Sequence, residues 1–113
     1  MGLVLAGLFA VAAVHAQSVD ERIAEAVRPL PEDLRAGATV YTYDTETGER
    51  IVLRQGSNHV ECHPKRDTGF TRCNPLSTSA RRDLEAKLEA EGRSGEEVDA
   101  TLAAAEGAGT IDP

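Results

Sequence analysis

The chain has 113 residues and a formal net charge of −7 at pH 7, with 19 acidic against 12 basic side chains. This length suits one domain rather than several, and the acidic balance argues against general binding to nucleic acid or to membrane surfaces. Leu, Ile, Val and Phe together make up less than a fifth of residues 17–113, which predicts a thin apolar core that a covalent crosslink would help to stabilise.

The chain begins with an uncharged, almost wholly apolar stretch, residues 1–16. Its apolar run is shorter than the roughly 20 residues that a membrane-spanning helix needs, but it matches the core of a signal peptide. Val14 and Ala16 are the small residues that signal peptidase accepts three and one positions before its cut, so we expect cleavage before Gln17. We therefore expect a periplasmic or secreted location and no stable membrane span after cleavage. No Lys or Arg precedes the run, so either the true start lies upstream of Met1 or the signal is weak. A buried N-terminal helix or an uncleaved anchor is the structural alternative.

The mature part, residues 17–113, is expected to form a single domain that opens with a short helix. Ser18 and Glu21 form a capping box, and an apolar residue then recurs every fourth position along one face. The prolines that follow end this helix.

Residues 38–73 are predicted to form a small antiparallel sheet of three or four short strands. Tyr41 and Tyr43 alternate with threonines, as the period of a strand requires, and Gly48 suits the turn of a first hairpin. A second, shorter hairpin would follow. The predicted strands are residues 38–44, 50–55, 59–63 and 69–73.

Residues 77–106 are rich in Ala, Glu and Arg and predict a pair of helices. The first covers residues 80–91, and Ser94 caps the second. Gly92 and Gly107 are placed where helix ends favour a left-handed residue. Both apolar stripes are narrow, so the helices must pack on each other, on the sheet or on a partner, or else form only in part. The expected fold class is therefore α+β.

The two cysteines, Cys62 and Cys73, lie on two predicted strands that flank a turn. If they stand opposite each other on antiparallel strands, a Cα separation of about 4.5–5.5 Å suits a disulfide. Exported proteins oxidise such pairs, and closing this loop would contribute about 3 kcal/mol to stability. We therefore expect an intramolecular disulfide.

A metal site is the alternative function for the same region. Zinc or copper could take nitrogen and thiolate ligands from His59, Cys62, His63 and Cys73. On a strand, however, His59 and His63 would share one face about 13 Å apart, with Cys62 on the other face. We therefore expect no bound metal or cofactor, and we expect both histidines at a solvent-facing strand edge.

The loop between the cysteines, residues 63–72, carries three basic residues and one acidic residue, in contrast to the acidic chain around it. We call residues 63–72 the basic loop. A closed loop is preorganised for binding, so it is the candidate contact for an anionic partner. The alternative is a solvated turn whose charges offset an acidic domain. The candidate contact residues are Lys65, Arg66, Phe70 and Arg72.

No catalytic residue is expected. The chain has no G-x-S-x-G, no H-E-x-x-H and no glycine-rich phosphate loop. Cys62 and His63 could be a thiolate and its base, but neighbouring strand residues face opposite ways and an exported cysteine pair should be oxidised. The function expected from the residues is that of a non-catalytic structural or interaction protein of the bacterial envelope.

Two short motifs resemble those of a loosely defined group of uncharacterised small exported bacterial proteins. The first is Gly37-Ala38-Thr39-Val40, and the second is Leu53-Arg54-Gln55-Gly56-Ser57-Asn58, followed by the two cysteines. In that group a signal peptide precedes a G-A-[TS]-V strand, an L-R-x-G-[TS]-N turn and two nearby cysteines. The resemblance implies export and pairing of the cysteines, and it implies no activity. His59 departs from the glycine that often follows the Asn.

Overall fold

The computed structural model describes Gly2 and residues 17–65 and 69–113. The predicted signal peptide and Arg66 lie outside the described residues. The fold is α+β, as predicted, with a four-stranded sheet, an N-terminal helix and a C-terminal helical pair. In chain order the elements are α1 (Val19–Val27), α2 (Glu32–Arg35), β1 (Thr39–Tyr43), β2 (Arg50–Arg54), β3 (Val60–His63), β4 (Arg72–Pro75), a 3-10 turn (Leu76–Thr78), α3 (Ser79–Ala90) and α4 (Gly95–Gly107).

The first helix begins where its capping box predicts. Ser18 Oγ accepts a hydrogen bond from the Glu21 amide at 3.1 Å, which satisfies one of the amides that a helix start leaves without a partner. The helix buries Ala26 and Val27 against the sheet. It therefore covers one face of the sheet.

The strands lie in the order β2-β1-β3-β4, and the sheet is mixed rather than wholly antiparallel. The two hairpins, β1–β2 and β3–β4, are antiparallel as expected. The central pair, β1 and β3, is parallel, with Val40 opposite Cys62. This pairing arises because the chain between β2 and β3 crosses the start of β1 instead of turning straight back.

The crossing brings two stretches of backbone into close contact at Gly56. A Cβ atom on Gly56 would lie 2.3 Å from the Gly37 carbonyl oxygen and 2.4 Å from the Thr39 nitrogen, so only glycine fits. The Gly37 oxygen also accepts hydrogen bonds from the amides of Ser57 and Asn58. The two motifs noted in the sequence therefore meet at this crossing, where they determine the path of the chain.

The main apolar core lies between α1 and one face of the sheet. Its centre is formed by Val40 of β1 with Val60 and Cys62 of β3, and Ala26 and Val27 of α1 close it. These positions alternate along their strands, as expected for a strand with one apolar face. We call this the apolar face of the sheet.

The helical pair has a small core of its own. Leu88 of α3 packs with Val98 and Leu102 of α4 and with Ile111 of the tail. The predicted cap is present, since Ser94 Oγ accepts a hydrogen bond from the Glu97 amide at 3.2 Å. The narrow apolar stripes therefore pack mainly on each other.

The two predicted helix ends differ in outcome. Gly92, which follows α3, has the left-handed φ of 78° that was expected. Gly107 was expected to take this conformation after α4, and that prediction is wrong. Gly107 is the last residue of the helix, and Gly109 takes the left-handed φ of 73°. The sequence could not show which glycine takes this conformation, because Gly107 and Gly109 are two residues apart and either could end the helix.

Candidate functional site

The face of the sheet opposite α1 is polar and is covered by α3. Along β1 and β3 this face presents Thr39, Tyr41, Tyr43, Glu61 and His63, which alternate with the residues of the apolar core. We call it the polar face. Glu61 is 1% exposed and lies on the central strand β3, so it is the most unusual residue of this face.

Arg50 neutralises the buried carboxylate of Glu61. Its Nη1 lies 2.8 Å from Glu61 Oε2, and its Nε lies 2.7 Å from Asp83 Oδ1 of α3. The guanidinium also lies over the Tyr41 ring, 3.9 Å from its centroid, which is a cation–π contact. With Tyr43, these residues form what we call the polar cluster: Tyr41, Tyr43, Arg50, Glu61 and Asp83.

Two hydroxyl groups complete the polar cluster's contacts with α3. The Tyr43 hydroxyl donates to Asp83 Oδ1 at 2.6 Å, and the Ser79 hydroxyl donates to Glu61 Oε2 at 2.7 Å. Ser79 and Asp83 are one turn apart on α3, so they project from the same side of the helix. The polar cluster therefore fastens this side of α3 to the sheet.

The ionisation of the polar cluster follows from its burial. Burial raises the pKa of the Tyr41 hydroxyl, and the nearby Glu61 charge raises it further. Burial and the hydrogen bond to Asp83 also raise the pKa of Tyr43. Burial by itself would lower the pKa of Arg50, but its hydrogen bonds to Glu61 and Asp83 outweigh burial and raise it. The tyrosines therefore remain protonated and Arg50 remains charged at neutral pH.

The geometry of the polar cluster supports attachment of α3 to the sheet more directly than it supports catalysis. The Glu61 carboxylate is occupied by Arg50 and Ser79, and the Asp83 carboxylate by Arg50 and Tyr43. A general base must be able to reach the proton it removes. Glu61 is buried and already hydrogen-bonded, so its observed contacts hold β2 through Arg50 and α3 through Ser79.

The expected disulfide is present between Cys62 and Cys73. Their Cα atoms are 4.1 Å apart, on directly opposed positions of the antiparallel pair β3–β4. Cys62 is 0% exposed and Cys73 packs at the edge of the same core. The bridge therefore both closes the basic loop and forms part of the apolar core.

The histidines and cysteines do not assemble into the alternative metal site. Both sulfur atoms are used in the disulfide, and His59 is exposed in the segment before β3. Within residues 17–65 and 69–113, no group of three or more His, Cys, Asp or Glu side chains is placed to share a metal ion. As expected from a strand, His63 and Cys62 face opposite sides of the sheet, so His63 cannot act as the base of Cys62.

His63 lies in a different environment from the solvent-facing edge that was expected. Its ring is partly buried, with its centroid 5.3 Å from that of Tyr41 and 6.0 Å from that of Tyr43. The reason is the strand order, since β3 is a central strand and not an edge. The expectation was wrong because β1 pairs with β3 on the side away from β4, so β4 and not β3 forms the border of the sheet.

The basic loop presents its described candidate residues to solvent. Lys65 and Arg72 are exposed, and Phe70 is 91% exposed. An aromatic side chain with so little of its surface buried contributes almost nothing to the core. These three residues are therefore available for contact on one side of the disulfide.

A cleft of about 260 Å³ lies between the basic loop and α3. Tyr41, Tyr43 and His63 of the sheet line it. Phe70 and Arg72 line it from the loop side. Residues of α3 line the opposite side, and they are Arg82, Glu85, Ala86 and Glu89.

Sequence patterns alone do not single out the charged members of the polar cluster. Arg50, Glu61 and Asp83 lie in three separate elements, and only the tertiary fold brings them together. One signal was present: Glu61 interrupts the predicted second hairpin between Val60 and Cys62. An acidic residue on a strand with such neighbours needs either solvent or a cationic partner.

Comparison with protein-family models, with curated proteins and with solved structures finds no match to this chain. Over the described part of the chain, no helix is long and apolar enough to cross a bilayer.

Proposed function

We propose that this is an exported bacterial protein that acts in the periplasm or outside the cell as a non-catalytic interaction protein, and that its basic loop contacts an anionic partner. The observation that carries the proposal is the Cys62–Cys73 disulfide, which closes a loop whose Lys65, Phe70 and Arg72 side chains are exposed. We also propose that the chain is one of the small exported proteins that its two motifs resemble.

The compartment is supported by two independent features. Disulfides persist outside the cytoplasm and are rare within it, because cytoplasmic reductants keep thiols reduced. The apolar stretch of residues 1–16 has the length and the terminal small residues of a signal peptide. Together they favour export followed by oxidation.

The contact surface is supported by exposure and charge. Phe70 offers a large apolar side chain at the surface, and Lys65 and Arg72 flank it with positive charge. The disulfide restricts the ends of the loop, so the loop loses less conformational entropy when it binds a partner. An anionic partner would therefore find attraction here, against the repulsion of a chain with a net charge of −7.

The partner proposal is tested by charge reversal and crosslinking in living cells. The double variant K65E/R66E is expected to lose crosslinked partners that the unaltered protein captures. A matched control is K87E/R93E, which reverses an exposed basic residue on α3 and another in the turn between α3 and α4. Equal capture by all three proteins, or equal loss in both variants, would overturn the basic loop as the contact surface.

The compartment proposal is tested by the intact mass of the purified protein. We expect a chain that begins at Gln17 and is lighter by two hydrogen atoms than the fully reduced mature chain. The same spectrum under native conditions would show any bound zinc or copper. A chain that keeps its leader and carries two free thiols would overturn export and the disulfide together.

A further inference from the structure

We propose that Gln17, as the first residue of the mature protein, closes on itself to form pyroglutamate, and that Glu25 of α1 transfers the proton that this reaction needs. The modification rests on the proposed function, because Gln17 gains a free amino group only when a leader is cut off directly before it. The exported protein would therefore carry pyroglutamate, and its precursor would not.

One side-chain contact joins Gln17 to Glu25. The amide nitrogen Nε2 of Gln17 donates a hydrogen bond to Glu25 Oε2 at 2.7 Å. The two residues are eight positions apart, about two turns of a helix, and helical side chains tilt toward the amino-terminal end. The Glu25 carboxylate therefore points back to the residue that precedes the helix. The nitrogen in this hydrogen bond is the atom that pyroglutamate formation expels.

Gln17 lies outside the helix that Glu25 belongs to. Ser18 is the cap of α1 and is extended, with a ψ of 160°, and the first residue of the helix is Val19. The first hydrogen bond of the helix runs from the Arg22 amide to the Ser18 oxygen, so the backbone nitrogen of Gln17 takes no part in the helix. Gln17 is also exposed, which leaves room for its amino group to react after cleavage.

Pyroglutamate formation exchanges one amide bond for another within a single residue. The amino nitrogen of Gln17 attacks its own side-chain carbon Cδ, the bond from Cδ to Nε2 breaks, and a lactam ring forms. One ammonia molecule leaves, and the reaction needs no oxidant, reductant or other reactant. The amino nitrogen must lose a proton and Nε2 must gain one, so a group that reaches both can transfer it.

The Glu25 carboxylate is placed for this proton transfer. In the intermediate both nitrogens are bonded to Cδ, so they lie side by side. One carboxylate has two oxygens and can contact both nitrogens at once. Its Oε2 already contacts the nitrogen that leaves. Glu25 can therefore accept the proton from the amino group and donate it to Nε2.

Ring closure would change the amino terminus of the exported protein in two ways. It removes a positive amino group next to the start of α1, where the helix dipole makes a cation unfavourable. It also removes the free amino group that aminopeptidases require. We therefore expect the closed form to keep its first residue outside the cytoplasm.

The first experiment is mass spectrometry of the protein purified after export, with tandem spectra of its amino-terminal peptide. We expect loss of one ammonia molecule at Gln17, in addition to the two hydrogen atoms that the disulfide removes. The control is Q17N, because the shorter side chain would have to form a strained ring and should keep its amino group. A chain that begins with unmodified Gln17 would overturn pyroglutamate and leave export in place. A chain that keeps its leader would overturn both.

The second experiment measures the rate of ring closure in the full mature chain with its disulfide formed. A fusion protein with a protease site directly before Gln17 releases the free amino group, and the mass is then followed with time. E25Q is expected to close about tenfold more slowly than the unaltered protein, because a positioned proton-transfer group contributes at least that much. E21Q is the matched control, since Glu21 lies one turn earlier on α1 and the Gln17 hydrogen bond goes to Glu25 instead.

Unfolding separates the effect of Glu25 from the ordinary reactivity of an amino-terminal glutamine. In guanidinium chloride the Gln17–Glu25 contact is lost, so the unaltered protein, E25Q and E21Q should all close at the same, slower rate. Equal rates for the folded unaltered protein and folded E25Q would overturn the role of Glu25. Equal slowing of folded E21Q and E25Q would show an effect of helix charge alone and would also overturn that role.

Discussion

On one face of the sheet, Val40, Val60 and Cys62 pack against α1; on the other, Glu61 and Arg50 hold α3 through ion pairs and hydroxyl groups. Apolar packing has no preferred direction and does not depend on protonation, whereas the polar cluster needs every donor and acceptor in place. Two helices are therefore attached to one sheet by opposite means. The attachment of α3 through the polar cluster is therefore the one that replacing a single donor or acceptor atom can break.

The largest effect is expected from a change at the centre of the polar face. E61Q keeps the shape of the side chain but leaves the Arg50 charge without its buried partner, so we expect a loss of about 4 kcal/mol in the free energy of unfolding. Urea unfolding followed by circular dichroism measures it. The amides of α3 should also exchange faster than those of α1.

The matched control for E61Q is E97Q. Glu97 forms an exposed ion pair with Arg93, and such pairs contribute about 0.5 kcal/mol or less. Equal losses in the two variants would contradict the distinction between the buried and the exposed pair.

The next effect tests the apolar face. The double variant C62A/C73A opens the loop that the disulfide closes, and we expect a loss of about 3 kcal/mol. Thermal unfolding of the oxidised protein, the reduced protein and the variant measures it. Reductant should destabilise the unaltered protein and leave the variant unchanged. A loss well above that of E61Q would reverse the ranking of the two faces.

A third change affects both faces, because it acts on the crossing that places β3 beside β1. G56A inserts a Cβ atom where the backbone of Gly37 and Thr39 leaves no room, and we expect a loss of about 2 kcal/mol. Gly107 has open space around its Cβ position, so G107A serves as the control and should cause no loss. Chemical unfolding of both variants measures the free energy of unfolding. A G56A protein as stable as the unaltered protein would contradict the tight crossing.

The smallest effect is expected from one hydroxyl of the polar cluster. Y43F removes the hydrogen bond to Asp83, which should cost about 1 kcal/mol near neutral pH. The folded state raises the pKa of Tyr43 above its ordinary value of 10.0, so it holds that proton more tightly than the unfolded chain does. The stabilisation is therefore fully present below pH 10 and is lost as the pH rises further.

The measurement is stability between about pH 8 and about pH 11, on either side of the ordinary tyrosine pKa. The unaltered protein should lose stability more steeply than Y43F over this range. Tyr41 remains in the variant, so a smaller alkaline loss should persist. Identical slopes would show that the Tyr43 hydroxyl does not report on the polar cluster.

Local patterns predicted the elements well. Ser18 and Ser94 start their helices as the capping rule requires, and Tyr41 and Tyr43 alternate along β1. The opposition of Cys62 and Cys73 also followed from two short strands and a turn. Each of these features depends on neighbours within a few residues, which a sequence shows directly.

The surroundings of the candidate contact loop could not be predicted from the sequence. Lys65, Phe70 and Arg72 are exposed, and their contact with a partner stays a prediction. The cleft beside the loop depends on α3 and was not foreseen. His63 was placed at an edge and lies instead on a central strand. Its position follows from the order of the strands, for which short-range patterns carry no signal.

The sequence by itself determined the helices, the two hairpins and the pairing of the cysteines, because caps, alternation and turns are short-range. Only the tertiary structure decided that β1 and β3 run parallel and that Arg50, Glu61 and Asp83 meet. The physical reason is that a buried charge finds its partner across the fold. Such a partner is selected by distance in space and not by spacing along the chain.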